Sequence, residues 1–269
     1  MKINVKSIQK ITLCFLMVTF TLGIAQKNAD AQAIVKKMIN AHGGMEKWKN
    51  APSISYNHDM VNPSQPDDHW FSKEIHEQGR RRSYSEWTYD AAIVAFDGKD
   101  IWTVDWKRLN PPDMMAGVAY FFLNMVWMTQ DAAANLELRE KTQVDLIEKD
   151  KKFHTVRLTF NGASPYEYFD MYIDPTSYIL KGVKYTVTHK GLMEVFKLPE
   201  DTKFMGPLLK VYKEYTDVDG LKLTTRYDTY TPDGISFGIH TVKDYNIKKP
   251  FDASKLKKPA NGLVYEPID

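Results

Sequence analysis

Seven histidines, His42, His58, His69, His76, His154, His189 and His240, are the first residues to test for chemistry. None stands in a zinc pattern such as H-E-x-x-H. His58, His69 and His76 fall on neighbouring candidate strands with Asp67 or Asp68 beside them, so a shared site is one expectation. Partly exposed strand histidines holding no metal are the plainer one. There is no G-x-S-x-G elbow, no Ser-His-Asp set at an arguable spacing, no P-loop and no dinucleotide fingerprint. Carboxylates are plentiful, but their spacing singles out no glycosidase pair. No catalytic residue, metal site or cofactor is assigned.

Two other groups suit a binding role. Arg80 and Arg82, on either side of Arg81, could meet an anionic head group, although alternate residues of a strand point opposite ways. A solvated strand end that discourages edge pairing is the plainer reading. The second group is the run Met114 to Met128, in which only Asn124 has a strongly polar side chain. Met114, Met115, Val118, Phe121, Phe122, Met125 and Val126 recur at helical spacing, and the opposite side (Gly117, Tyr120, Asn124, Trp127) carries no charge. A helix apolar nearly all round must be covered on most sides, and at about 15 residues it is short for a membrane span. Met114, Met115, Met125 and Met128 add flexible side chains suited to variable apolar ligands. The segment either fills a hollow as plain core or leaves room there for a greasy ligand.

The elements around this run read as β. Asn28 or Asp30 can cap a helix to about His42, with Ile34, Val35, Met38, Ile39 and Ala41 as its stripe and Gly43-Gly44 as its stop. A short turn over 45–50 carries Trp48. From Ser53 the period is two: Ile54, Tyr56, His58 and Met60 alternate with polar residues. Strands are predicted near 53–60, 70–76, 82–89, 92–96 and 101–105, the last two joined by an Asp97-Gly98 turn. After the apolar run, strands are predicted near 136–148, 152–161, 166–174, 178–188, 207–216, 221–231 and 235–246. The tail 250–259 reads as loop with one turn of helix. Long strands and short turns predict antiparallel neighbours. The fold class expected is mainly β: a curved antiparallel half-barrel with an N-terminal helix and an inserted apolar helix.

Of the 269 residues, the first 25 resemble a secretory signal peptide. Lys2, Lys6 and Lys10 precede an apolar core from Ile11 to Ile24, and cleavage is expected after Ala25. Residues 26–269 are then expected to form one domain. Cys14 lies within the signal core, so the mature chain would hold no thiol and no disulfide. Removing the three lysines from 36 Lys+Arg leaves 33 against 34 Asp+Glu, a near-neutral balance that speaks against nucleic acid.

Several motifs, in order, resemble the outer-membrane lipoprotein-sorting (LolA/LolB-like) superfamily. They are the hairpin Phe96-Asp-Gly-Lys-Asp-Ile-Trp-Thr-Val-Asp105, the strand–turn–strand step Tyr172-Ile-Asp-Pro-Thr-Ser-Tyr-Ile-Leu-Lys181, the step Asp217-Val-Asp-Gly-Leu-Lys-Leu223, and the closing stretch Val242 to Pro259. Ala41-His-Gly-Gly44 with Trp48 resembles an uncharacterised exported branch. The resemblance implies an unclosed antiparallel barrel, a helical lid, an apolar cavity for acyl chains, and a periplasmic location. It also implies a basic strand residue that holds the lid shut, for which Arg80, Arg81 and Arg82 are candidates. The Met114–Met128 segment is bulkier than a carrier's lid.

The expected function is therefore non-catalytic binding or carriage of a lipid, or of a lipoprotein's acyl chains, in the periplasm, with secretion as the alternative location. The ligand would lie against Met114, Met115, Val118, Phe121, Phe122, Met125 and Trp127. Arg80 or Arg82 would contact its head group, and Phe122→Asp would abolish its retention. The expected protein is a monomer without nucleic-acid partners. The competing readings are an envelope interaction module with a protein partner and no cavity, and a hydrolase on the same scaffold.

Overall fold

A computed structural model describes residues 28–79, 81–162, 164–199 and 202–266. The expected signal peptide and Arg80 lie outside the described residues. Within them, thirteen strands form one antiparallel sheet in the order β13-β5-β4-β3-β2-β1-β12-β11-β10-β9-β8-β7-β6. The strands are β1 (Ser53–Val61), β2 (His69–Glu77), β3 (Ser83–Trp87), β4 (Ala92–Phe96), β5 (Ile101–Val104), β6 (Ala134–Gln143), β7 (Lys152–Phe160), β8 (Tyr166–Ile173), β9 (Leu180–Val187), β10 (Met205–Val218), β11 (Leu221–Tyr230), β12 (Ser236–Asn246) and β13 (Leu263–Tyr265). Strands β1–β5 and β6–β12 are two meanders joined by the β1–β12 pairing. The sheet does not close, and the fold is the mainly β half-barrel expected.

The first helix, α1, runs over residues 28–41. Ala31, Val35, Met38 and Ile39 are its buried stripe and join the main core with Trp48, Tyr56, Leu221 and Leu223. It stops at Gly43, whose φ is +103°. A Cβ there would stand 2.0 Å from the Gly220 carbonyl oxygen, so only glycine lets the helix end meet the β10–β11 turn this closely. The turn expected at 45–50 is a helix, α2 (Met45–Asn50).

The apolar insertion is helical but not one helix. It forms α3 (Pro112–Met115), α4 (Val118–Leu123) and α5 (Met125–Met128). The breaks fall at Gly117 and Asn124, neither of which has helical dihedrals (φ/ψ −140°/−8° and −111°/14°). Asn124 is fully buried, and its side chain donates to the Tyr120 carbonyl oxygen at 2.7 Å, which competes with continued helix. Topology gives the insertion its course. It links β5, beside one sheet edge, to β6, the other edge, and so crosses between the two ends of the sheet.

Other differences have local causes. The strand expected at 136–148 ends at Gln143, where the chain turns and sends Val144 and Ile147 back onto Phe153, Tyr172, Leu209 and Val211 as a small second core. Thr88 and Tyr89, expected as strand, form a 3₁₀ turn. A helix not expected from the sequence, α6 (Lys190–Val195), is capped by the His189 ring, which accepts from the Leu192 N–H. Strand β13, also unexpected, pairs with β5.

Candidate functional site

Residues directly opposite in an antiparallel pair share a face, so the register shows what the concave side carries. Tyr56 lies opposite Glu74, His58 opposite Ser72, and Met60 opposite Trp70. His240 lies opposite Met60 on one side and Tyr227 on the other, and Lys210 lies opposite Thr229. Five adjacent strands thus place a polar row inside an otherwise apolar hollow.

Hydrogen bonds link the row from Lys210 to His58, and a longer polar contact carries it on to Glu74. The Lys210 Nζ donates to Thr229 Oγ1 at 3.1 Å. Thr229 Oγ1 is 3.1 Å from His240 Nε2, and His240 Nδ1 is 3.0 Å from His58 Nε2. His58 Nδ1 stands 3.6 Å from Glu74 Oε1. One consistent assignment satisfies the row. The ammonium has only donors, so Thr229 accepts from it and donates to His240. Neutral His240 then donates to His58, and His58 presents its remaining N–H to Glu74. Glu74 also accepts from Ser72 Oγ at 2.7 Å and Tyr56 OH at 3.0 Å, and its Oε2 is 3.0 Å from His76 Nε2. Burial pushes the Glu74 carboxyl up, but the His58 and His76 rings outweigh it and hold the group well below the usual carboxylate range. Burial, aided by Lys210 and His58, pushes His240 well below an ordinary imidazole.

Above this row lies a pocket of ≈ 190 Å³ between the insertion and the sheet. Met114, Met115, Val118 and Phe122 line it from the insertion; Met60, Trp70, Tyr185 and Leu208 line it from the strands. His58, Lys210, Tyr227, Thr229 and His240 give it a polar floor. Phe196, just past α6, also lines it and is 57% exposed, which marks a mouth at the surface. Phe121, Met125 and Trp127 do not line it. Phe121 packs among Phe160, Tyr166 and Phe169, Met125 is fully buried core, and Trp127 stacks on Trp48 at 4.4 Å.

The insertion is pinned at several points. Tyr212 OH donates to the Phe122 carbonyl oxygen at 2.6 Å, and Tyr120 OH donates to Gln78 Oε1 at 2.7 Å. Ser83 Oγ donates to the Ala116 carbonyl oxygen at 3.1 Å. At the end nearest α6, His189 Nε2 lies 3.0 Å from Asp113 Oδ2. Burial raises the Asp113 carboxyl, but His189 draws it below its ordinary value.

The predicted polar groups distribute differently from the sequence expectation. His58 and His76 meet at Glu74, but His69 faces away and pairs with Asp59 at 2.7 Å. Asp68 lines the pocket and accepts from Asn62; Asp67 is exposed. Among the described residues no group of three or more His, Cys, Asp or Glu side chains is placed to hold a metal. Arg82 is clamped to Glu77 at 2.5 and 2.7 Å, and Arg81 pairs with Asp131. Neither arginine lines the pocket. Sequence reasoning missed Lys210, Tyr227, Thr229 and Glu74. A signal for the first was present: Lys210 is the one charge in Leu208-Leu209-Lys210-Val211-Tyr212, an apolar stretch with no alternation to carry it outward.

No protein-family model matches the chain, and no curated protein matches it in sequence. Solved structures do match in fold. A LolA superfamily protein from Nitrosomonas europaea superposes with a TM-score of 0.56 at 12% identity, over 85% of this chain and 97% of the other. A DUF1329 family protein from Desulfovibrio piger gives 0.51 at 11% identity, over 84% and 97%. A domain from Vibrio parahaemolyticus assigned to outer-membrane lipoprotein sorting gives 0.51 at 7% identity, over 86% and 97%. The fold resemblance read from the turns is therefore borne out. Among the described residues no helix is long and apolar enough to cross a membrane.

Proposed function

We propose that this protein is a non-catalytic carrier of a lipid or acyl chain in the bacterial envelope. It would be exported to the periplasm by cleavage of residues 1–25, leaving residues 26–269 as the working domain. The observation that carries this reading is the pocket enclosed between the Met114–Met128 segment and the concave sheet, lined mostly by apolar side chains. The shared fold with a domain assigned to lipoprotein sorting supports it. Binding would be driven by desolvation, worth about 0.8 kcal/mol per buried CH₂. Capacity limits the ligand. A cavity of about 150 Å³ holds one benzene, so ≈ 190 Å³ takes a tail of roughly six to eight carbons. Anything longer must pass the mouth at Phe196 or lift the insertion, which then acts as the lid.

Native mass spectrometry of the mature protein purified from a bacterial periplasm, followed by solvent extraction, tests this. Stoichiometric acyl species are expected, and Ala119→Phe, which fills the pocket from the lid side, is expected to lose them while remaining folded. A ligand-free mass, with no uptake of a fluorescent fatty acid, would sink carriage and favour an envelope protein partner for the insertion.

A further inference from the structure

The pocket floor holds one cation that the hydrogen-bonded row does not neutralise. Lys210 is 6% exposed, yet its Nζ has a single hydrogen-bond partner, Thr229 Oγ1 at 3.1 Å. An ammonium has three donors, and among the described residues no carboxylate lies within ion-pair distance of this one. The charge instead stands over aromatic faces: Phe122 at 4.5 Å, Tyr227 at 4.9 Å and Tyr185 at 5.8 Å. Its neighbours have nothing to spare, because Thr229 and His240 are committed along the row and Glu74 is satisfied by four other groups. Trp70, another lining residue, has an indole N–H that is buried without a partner. Buried donors left unmet in a lined pocket mark the place where a ligand brings acceptors.

We propose that the pocket takes a monocarboxylate amphiphile, its carboxylate paired with the Lys210 ammonium and its tail against Met114, Met115 and Val118. This rests on the carrier reading above and names its ligand class. The single charge decides against a phosphate monoester. One buried cation neutralises one anionic charge, and the second charge of a phosphate monoester would remain buried and unpaired. A neutral lipid would leave the ammonium as unmet as before. Arg82, paired with Glu77 away from the pocket, has no part in head-group recognition.

The pairing also predicts proton uptake. Burial lowers the Lys210 ammonium to about 7, and a carboxylate at contact raises it again. Facing it are Tyr185 of β9, Tyr212 of its own strand, Tyr227 of β11 and the imidazole of His240 of β12, and Asp68 and His58 line the same pocket. Burial keeps the three phenols protonated and the imidazole neutral, so none of them supplies the proton.

Isothermal titration of the delipidated mature protein with octanoate and with 1-octanol compares two ligands of one tail. Octanoate should bind at least tenfold tighter. Lys210→Met should abolish that preference while leaving octanol within about threefold of wild type. Wild-type octanoate binding at pH 8, repeated in buffers of different ionisation enthalpy, should take up close to one proton. That measurement serves even if the variant does not fold. Equal binding of the two ligands, an unchanged preference in Lys210→Met, or no proton uptake would overturn the carboxylate assignment while leaving carriage standing. Failure of both ligands to bind would overturn the two together.

Discussion

Lys210 is a buried ammonium with one hydrogen-bond partner and no carboxylate beside it among the described residues. Its ammonium falls from 10.5 to about 7 because it is buried. The sign follows from linkage. The unfolded chain holds the proton between these values and the folded chain releases it, so stability rises with pH across that interval. Below pH 7 the folded state carries the full penalty, on the order of 5 kcal/mol for a shift of this size. Lys210→Met should therefore stabilise the ligand-free protein by a few kcal/mol at pH 7, and the gain should shrink toward nothing near pH 10. Urea denaturation of both proteins at pH 7 and pH 9.5 reads this directly, and a variant less stable than wild type at pH 7 would contradict it. A core position kept expensive in this way is what a binding group requires and a packing group does not. Its neighbours were harder to read. Tyr227 and Thr229 sit at ordinary strand positions, and Glu74, between Lys73 and Ile75, looks like any solvated acid until the sheet folds over it.

At the scale of elements, the period of two and the turn dipeptides placed most strands to within a few residues, because inward and outward positions alternate wherever one face is covered. What they did not reveal has a common cause. Strand β13 is three residues long, α6 is six, and the insertion breaks at Gly117 and Asn124; each depends on contacts remote in sequence rather than on its own pattern. The breaks matter for function. A continuous helix moves as a rod, whereas three short pieces pinned separately can open in part. The buried bond from Tyr212 OH to the Phe122 carbonyl oxygen is the pin over the pocket. Its loss in Tyr212→Phe should cost about 1–1.5 kcal/mol, hence roughly tenfold faster hydrogen exchange where the opening is local. The increase should be confined to residues 118–128, with the β11 and β12 amides unchanged. A uniform increase across the sheet would instead make Tyr212 a global support, not a lid latch.

The whole molecule is organised by one long-range choice, the pairing of β1 with β12, which no local pattern announces. With it, the two meanders become one sheet. The twelve strands from β5 to β6 then span about 50 Å of arc at the usual strand spacing, which the insertion can bridge only by cutting across a curved hollow. The same closure buries histidines contributed by distant segments. His42 accepts from the Leu180 N–H at Nε2 and donates from Nδ1 to the Lys222 carbonyl oxygen, at 3.2 and 3.1 Å, tying the end of α1 to β9 and β11. Burial, together with nearby Lys222 and Lys181, lowers its pKa from 6.5 to about 4, and His240 is driven down in the same direction. Both rings are neutral when folded and take up protons when unfolded, so their contribution is complete above pH 6.5 and is lost as pH falls below it. Glu74, held low by His58 and His76, stays charged through this interval and does not offset the loss. Between pH 6.5 and 4 the His42 share alone is on the order of 3 kcal/mol. The urea midpoint should therefore fall steadily from pH 7 to 4.5. In His42→Gln the protein should start less stable at pH 7, because Gln cannot bond both strands as the ring does, yet fall less steeply. A wild-type midpoint that is flat over this range would mean that the two rings are already protonated or solvated in the fold. It would remove the neutral His240 ring that stands beside Lys210 on the pocket floor.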